Sequence, residues 1–94
     1  MTTLPTVSFS HFGLYVTDLP RMENFYTRVL GLLVSDRGKL PGGSDLVFLS
    51  RDPDEHHQLV LAAGRPPGLE FNVVNQMSFK LAALEDLKIM HARA

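Results

Sequence analysis

Between Leu32 and Ala63 the chain carries three strand-like runs joined by connections too short for anything but hairpins. The runs are Leu32 to Asp36, Asp45 to Ser50 and Gln58 to Ala63. Gly38-Lys-Leu-Pro-Gly-Gly-Ser44 and Asp52-Pro-Asp-Glu55 between them are rich in the residues that turns require. A parallel crossover needs a dozen or more residues, so these three strands must pair antiparallel. That one constraint removes the all-helical folds and the doubly wound parallel sheets.

What precedes the runs changes period. Residues 8 to 17 alternate, with Phe12, Leu14 and Val16 on one face and His11, Gly13 and Tyr15 on the other. The aliphatic and aromatic set is expected to pack on a helix, the second set to face a wetter space. Asp18 then offers a helix cap, Pro20 suits the first turn, and Met22, Phe25, Tyr26, Val29 and Leu30 form an amphipathic stripe. Gly31 supplies the left-handed stop. The spacing predicts a helix over 19–30.

After the last run, Gly64-Arg-Pro-Pro-Gly68 breaks the pattern. Residues 75–81 alternate again, with Met77, Phe79 and Leu81 opposite Gln76, Ser78 and Lys80. Residues 84–93 read as a second helix, with Leu84, Leu87 and Met90 three apart. The expected order is β-α-β-β-β, a linker over 64–74, then β-α. This is an α+β fold in a single domain over 1–94, in which 8–63 form a complete unit and 75–94 begin a second one that stops short.

Composition narrows the partners. Nine Lys+Arg against ten Asp+Glu leave a formal net charge of −1, with no basic footprint for nucleic acid or anionic membrane. No apolar run approaches the roughly 20 residues that span a bilayer. The N-terminus has neither the basic nor the apolar region of a signal peptide, so the expected location is cytoplasmic. Without cysteine, disulfides, thiolate metal sites and cysteine nucleophiles are excluded. Arg37, Lys39, Arg51 and Arg65 fall in turns and read as solvated charges. No phosphate-binding glycine loop or nucleophile elbow is present.

The stretch from Ser10 to Leu32, with His11 on its strand, the Asp18-Leu19 junction and the Phe25-Tyr26…Val29-Leu30-Gly31 helix end, resembles the opening module of the vicinal oxygen chelate superfamily. That superfamily holds glyoxalase I, bleomycin-resistance proteins and extradiol ring-cleaving dioxygenases. Glu55-His-His-Gln-Leu-Val-Leu61 is similar to the paired-histidine strand of the extradiol branch, and residues 75–87 resemble the first strand and helix of a partner module. The resemblance implies a βαβββ module followed by a truncated second module.

It also implies roles. His11 stands at the first metal-ligand position, where an imidazole suits Fe(II) or Mn(II). Gln76 stands where the second histidine ligand belongs, and the third ligand, a glutamate, would lie beyond Ala94. Such a set would bind the divalent metal weakly. His57, the second of the adjacent pair, stands at the acid/base position beside a bound catechol. On a strand His56 and His57 should point to opposite faces, with Leu59 and Leu61 sharing the His57 face as pocket wall and Tyr15 beside His11. Three readings stay open: a metal-dependent dioxygenase-like or glyoxalase-like enzyme, weak or inactive in this chain; a non-catalytic binder of a small aromatic or hydrophobic molecule; and a fragment or degenerate relative whose only property is association. The unfinished second unit would leave Met77, Phe79, Leu81, Leu84 and Leu87 without a sheet to cover, so a homodimer is expected.

Overall fold

A computed structural model describes residues 3–74 and 76–94. Four strands form one sheet in the order β1-β4-β3-β2: β1 is Phe12–Val16, β2 Leu33–Lys39, β3 Asp45–Ser50 and β4 Leu59–Ala63. The β2–β3 and β3–β4 pairs are antiparallel, as their short connections demand, and β1 lies parallel to β4. The mixed sheet with its two helices is the expected α+β fold, built as a βαβββ module.

The first helix forms where the caps place it. Asp18 accepts a hydrogen bond from the Arg21 backbone N–H at 3.1 Å, and α1 runs Leu19–Asn24 before widening into a π-helical turn over Phe25–Val29. Gly31, at φ +76°, then reverses the chain. The N–H groups of Gly31 and Leu32 close back on the carbonyls of Thr27 and Tyr26.

One sheet face takes the helix. Phe12, Leu14 and Val16 stand opposite Leu59, Leu61 and Ala63, and Val47 and Leu49 continue the same rows on β3. With Tyr26 and Leu32 these side chains make the core, in which Leu49 and Leu61 have no exposed surface. Arg37 is on this side of β2, and its guanidinium forks onto the Glu23 carboxylate of α1 at 2.7 and 3.1 Å. It is therefore a tie between layers, not a solvated turn charge. Lys39 likewise pairs with Asp45 at 2.7 Å, and Arg51 donates to the Gly31 carbonyl at 3.1 Å.

Two expectations need correction. The first strand begins at Phe12 rather than Ser8, because β4, on which it pairs, begins at Leu59, and Gln58 supplies the last ladder acceptor for the Phe12 N–H. The strand expected over 75–81 is absent among the described residues 76–81, and Asn75 lies outside them. A strand needs a ladder partner for its backbone groups, and this segment pairs with none of the four strands, running past the open edge of β1 without joining its ladder. What holds it is Met77, packed against the core with its sulfur 3.7 Å from the Tyr26 hydroxyl. The second helix, α2, forms over Leu84–Arg93 as expected, with no side-chain cap at Ala83 and no buried residue. Arg93 fastens it by donating to the carbonyls of Arg28 and Val29 at the end of the first helix.

Candidate functional site

The face of the sheet away from the helix carries the candidate chemistry. Asp36, Phe48, Val60 and Gly13 form one row across all four strands by direct pairing. Tyr15 is two residues further along β1 on that side and 58% exposed. His11 stands just before β1 and His57 just before β4, so parallel pairing of these strands brings together two residues far apart in sequence. Their ring centroids are 4.1 Å apart, edge to face.

His56 and His57 do not point to opposite faces. Both precede β4 in the turn that follows Asp52, where strand alternation does not apply. Both rings rest on Phe48, at centroid distances of 5.6 and 5.1 Å, and their Nδ1 atoms are 2.8 Å apart. His56 Nε2 is in turn 3.1 Å from the Oδ2 oxygen of Asp36. The result is an unbroken line, Asp36–His56–His57–His11, over an aromatic floor.

The same irregularity displaces Leu59 and Leu61. They are 2% and 0% exposed in the core beneath the helix, opposite Phe12 and Leu14. They do not share the face of His57, and the side chain from β4 that does is Val60. Sequence reasoning missed Asp36 for a related reason. The β2–β3 register slips between Val34 and Asp36, so these residues fall on opposite faces although simple alternation puts them on one. No single-sequence signal marks that bulge. His56, by contrast, was visible as half of a histidine pair.

The electrostatics favour a neutral His57. Partial burial lowers its affinity for a proton, the neighbouring imidazoles of His11 and His56 lower it further, and Glu55 opposes them. Asp36 is held below the usual carboxylate range, first by the Arg37 backbone N–H on its Oδ1 at 2.8 Å and then by His56.

Gln76 is elsewhere. With Tyr15, Met22, Arg65 and Met77 it lines a cleft of about 710 Å³ along the outer edge of β1, and His11 is not part of that lining. Its amide nitrogen donates to Ser78 at 2.8 Å. Among the described residues no group of three or more His, Asp or Glu side chains converges on a point that could hold a metal ion. His11 and Gln76 thus line different parts of the molecule, His11 the imidazole face and Gln76 the cleft beside β1. Nor is any helix among these residues long and apolar enough to cross a membrane.

Comparison with known proteins agrees with the fold. No curated protein sequence matches the chain significantly. A family model described as the Glyoxalase/Bleomycin resistance protein/Dioxygenase superfamily matches residues 8–94. With strands, helices and open face arranged as above, the chain belongs to that superfamily.

Proposed function

We propose that the chain is a small-molecule binding module that receives a hydroxyl-bearing aromatic compound on the imidazole-lined face of its sheet, without catalysing a reaction on its own. The observation that carries this reading is the meeting of His11 and His57 at 4.1 Å beside Phe48. Two imidazoles offer polar, proton-accepting contacts, while Phe48 and Val60 offer an apolar surface for a flat ring.

A second reading keeps the metalloenzyme. His11 stands beside a histidine suited to proton transfer, the pairing an extradiol-type ring-cleaving enzyme needs. Fe(II) or Mn(II) would then require a carboxylate from another module, brought by a second copy or by further chain. A homodimer also suits the apolar surface that residues 71–89 leave exposed, Phe71, Val73, Leu84 and Ile89 among them.

Calorimetric titration with catechol tests the first reading, and anaerobic titration with Fe(II) separates it from the second. Catechol binding that weakens at least tenfold in a His11→Ala variant, with weak Fe(II) binding and no ring cleavage, is the expected result. Tight stoichiometric Fe(II) binding that His11→Ala abolishes, or turnover of catechol, would replace the binder with the enzyme. Light scattering at micromolar concentration is expected to give twice the monomer mass, and a clean monomer removes the dimer.

A further inference from the structure

Asp36 and His56 follow His57 along the line, and they determine what His57 offers a molecule resting on the open face. A carboxylate only accepts hydrogen bonds, so the 3.1 Å contact from Asp36 Oδ2 to His56 Nε2 requires a hydrogen on that nitrogen. At a pH where both imidazoles are neutral, His56 carries only that one N–H, and its Nδ1 is left a bare acceptor. Facing it at 2.8 Å is His57 Nδ1. Two bare nitrogens at that distance would oppose lone pair to lone pair, so His57 must carry its hydrogen on Nδ1. Its Nε2 then holds a free lone pair, and among the described residues no hydrogen bond reaches that atom.

We propose that Asp36 and His56 are positioning residues that lock neutral His57 in the Nδ1–H tautomer, so that its Nε2 accepts a hydrogen bond from a ligand hydroxyl and does not donate one. The ligand class rests on the binding reading above; the tautomer rests on the contacts alone. The carboxylate is itself fixed, because its other oxygen takes the Arg37 backbone N–H at 2.8 Å. His11 has no such restraint. Its Nδ1 is 3.1 Å from the Ser10 hydroxyl, a group that both donates and accepts and so dictates neither tautomer.

An asparagine at position 36 should reverse the line. If its carbonyl keeps the Arg37 N–H, its NH₂ group faces His56 Nε2 and donates to it. His56 then carries its hydrogen on Nδ1, donates to His57 Nδ1, and leaves His57 with a hydrogen on Nε2. Long-range ¹H–¹⁵N correlation spectra of the full labelled chain distinguish the two tautomers directly, at about pH 8, above the ordinary histidine range. The His57 signals are identified by their loss in His57→Gln. The expected result is Nδ1–H in the parent chain, Nε2–H in Asp36→Asn and loss of the single fixed tautomer in Asp36→Ala. Asp36 has a side chain 56% exposed, so neither change touches the core.

Nε2–H in the parent chain, or one tautomer in all three proteins, overturns the proposal. Titration with catechol and with its dimethyl ether separates the two claims. Preference for catechol that falls at least fivefold in Asp36→Asn supports the ligand class. If the tautomers are as expected and neither compound binds, the binding reading fails and the positioning role stands.

Discussion

Residues 12–63 and residues 64–94 both carry apolar side chains at regular spacing, and only the first region buries them. Val47, Leu49, Leu59 and Leu61 are at most 2% exposed, whereas Phe71, Val73, Leu84 and Ile89 range from 58% to 78%. The first region has a ladder for each strand, Asp18 capping its helix and Gly31 ending it. The second has a helix without a side-chain cap and no strand among its described residues. Periodic apolar residues make a face; burial of that face requires a neighbour. Leu14 finds Leu61 across a ladder, while Leu87 stays 55% exposed.

Substitution should expose the contrast most strongly at Leu61. Leu61→Ala leaves a hole in the core and is expected to cost about 3 kcal/mol in denaturant unfolding. Leu87→Ala, on the exposed side of α2, is expected to stay within about 0.5 kcal/mol for the monomer and to weaken association if a second copy covers that helix. Equal effects at the two positions would erase the distinction between the regions. Met77 is the point where they meet, half-buried against Tyr26. Met77→Ala should cost about 1–2 kcal/mol and free residues 64–83 to proteolysis before the sheet unfolds. Simultaneous digestion of both regions would mean that they act as one cooperative unit.

The smallest effect is electrostatic and belongs to the first region. The hydrogen bonds from Arg37 chiefly hold the Glu23 carboxyl below its ordinary value of 4.5; burial opposes them, and the Arg37 charge adds a lesser lowering. The unfolded chain therefore binds this proton more readily, and the contribution is complete above that value and lost as pH falls through the lower folded one. Arg37 is well exposed, so about 0.5 kcal/mol is expected from the pair. In Glu23→Gln the acid limb of the stability profile should flatten by that amount. An unchanged limb would show that the layers are joined by apolar contact alone.

Local rules carried much of this architecture. The helix cap, its glycine stop, the antiparallel hairpins and the bounds of β3 and α2 all follow from residues adjacent in sequence. Residues whose placement depends on distant pairing were harder to read. The slip after Val34 turns Asp36 to the open face, and the turn before β4 gathers His56 and His57 onto one aromatic ring. His11 and His57 were legible as candidates through the superfamily resemblance, but their contact depends on β1 lying beside β4. Alternation counted back from β4 puts Leu59 and Leu61 on the face of His57, and the turn before β4 breaks that count.

The parallel pairing of β1 with β4 also has a consequence in time. The two hairpins close loops of a few residues, which polypeptides do in microseconds. β1 pairs with a strand that begins only at Leu59, so its docking closes a much longer stretch of chain, against a larger loss of chain entropy. It is also an edge strand, paired on one side only among the described residues. Assembly is expected to end, and local opening to begin, at the strand that delivers His11, with β1 amides exchanging faster than those of β3. A molecule resting on both His11 and His57 would then act as a latch. By bridging the last strand to dock and the hairpin already formed, it would slow the first step of unraveling and make occupancy of the face a measure of whether the domain has closed.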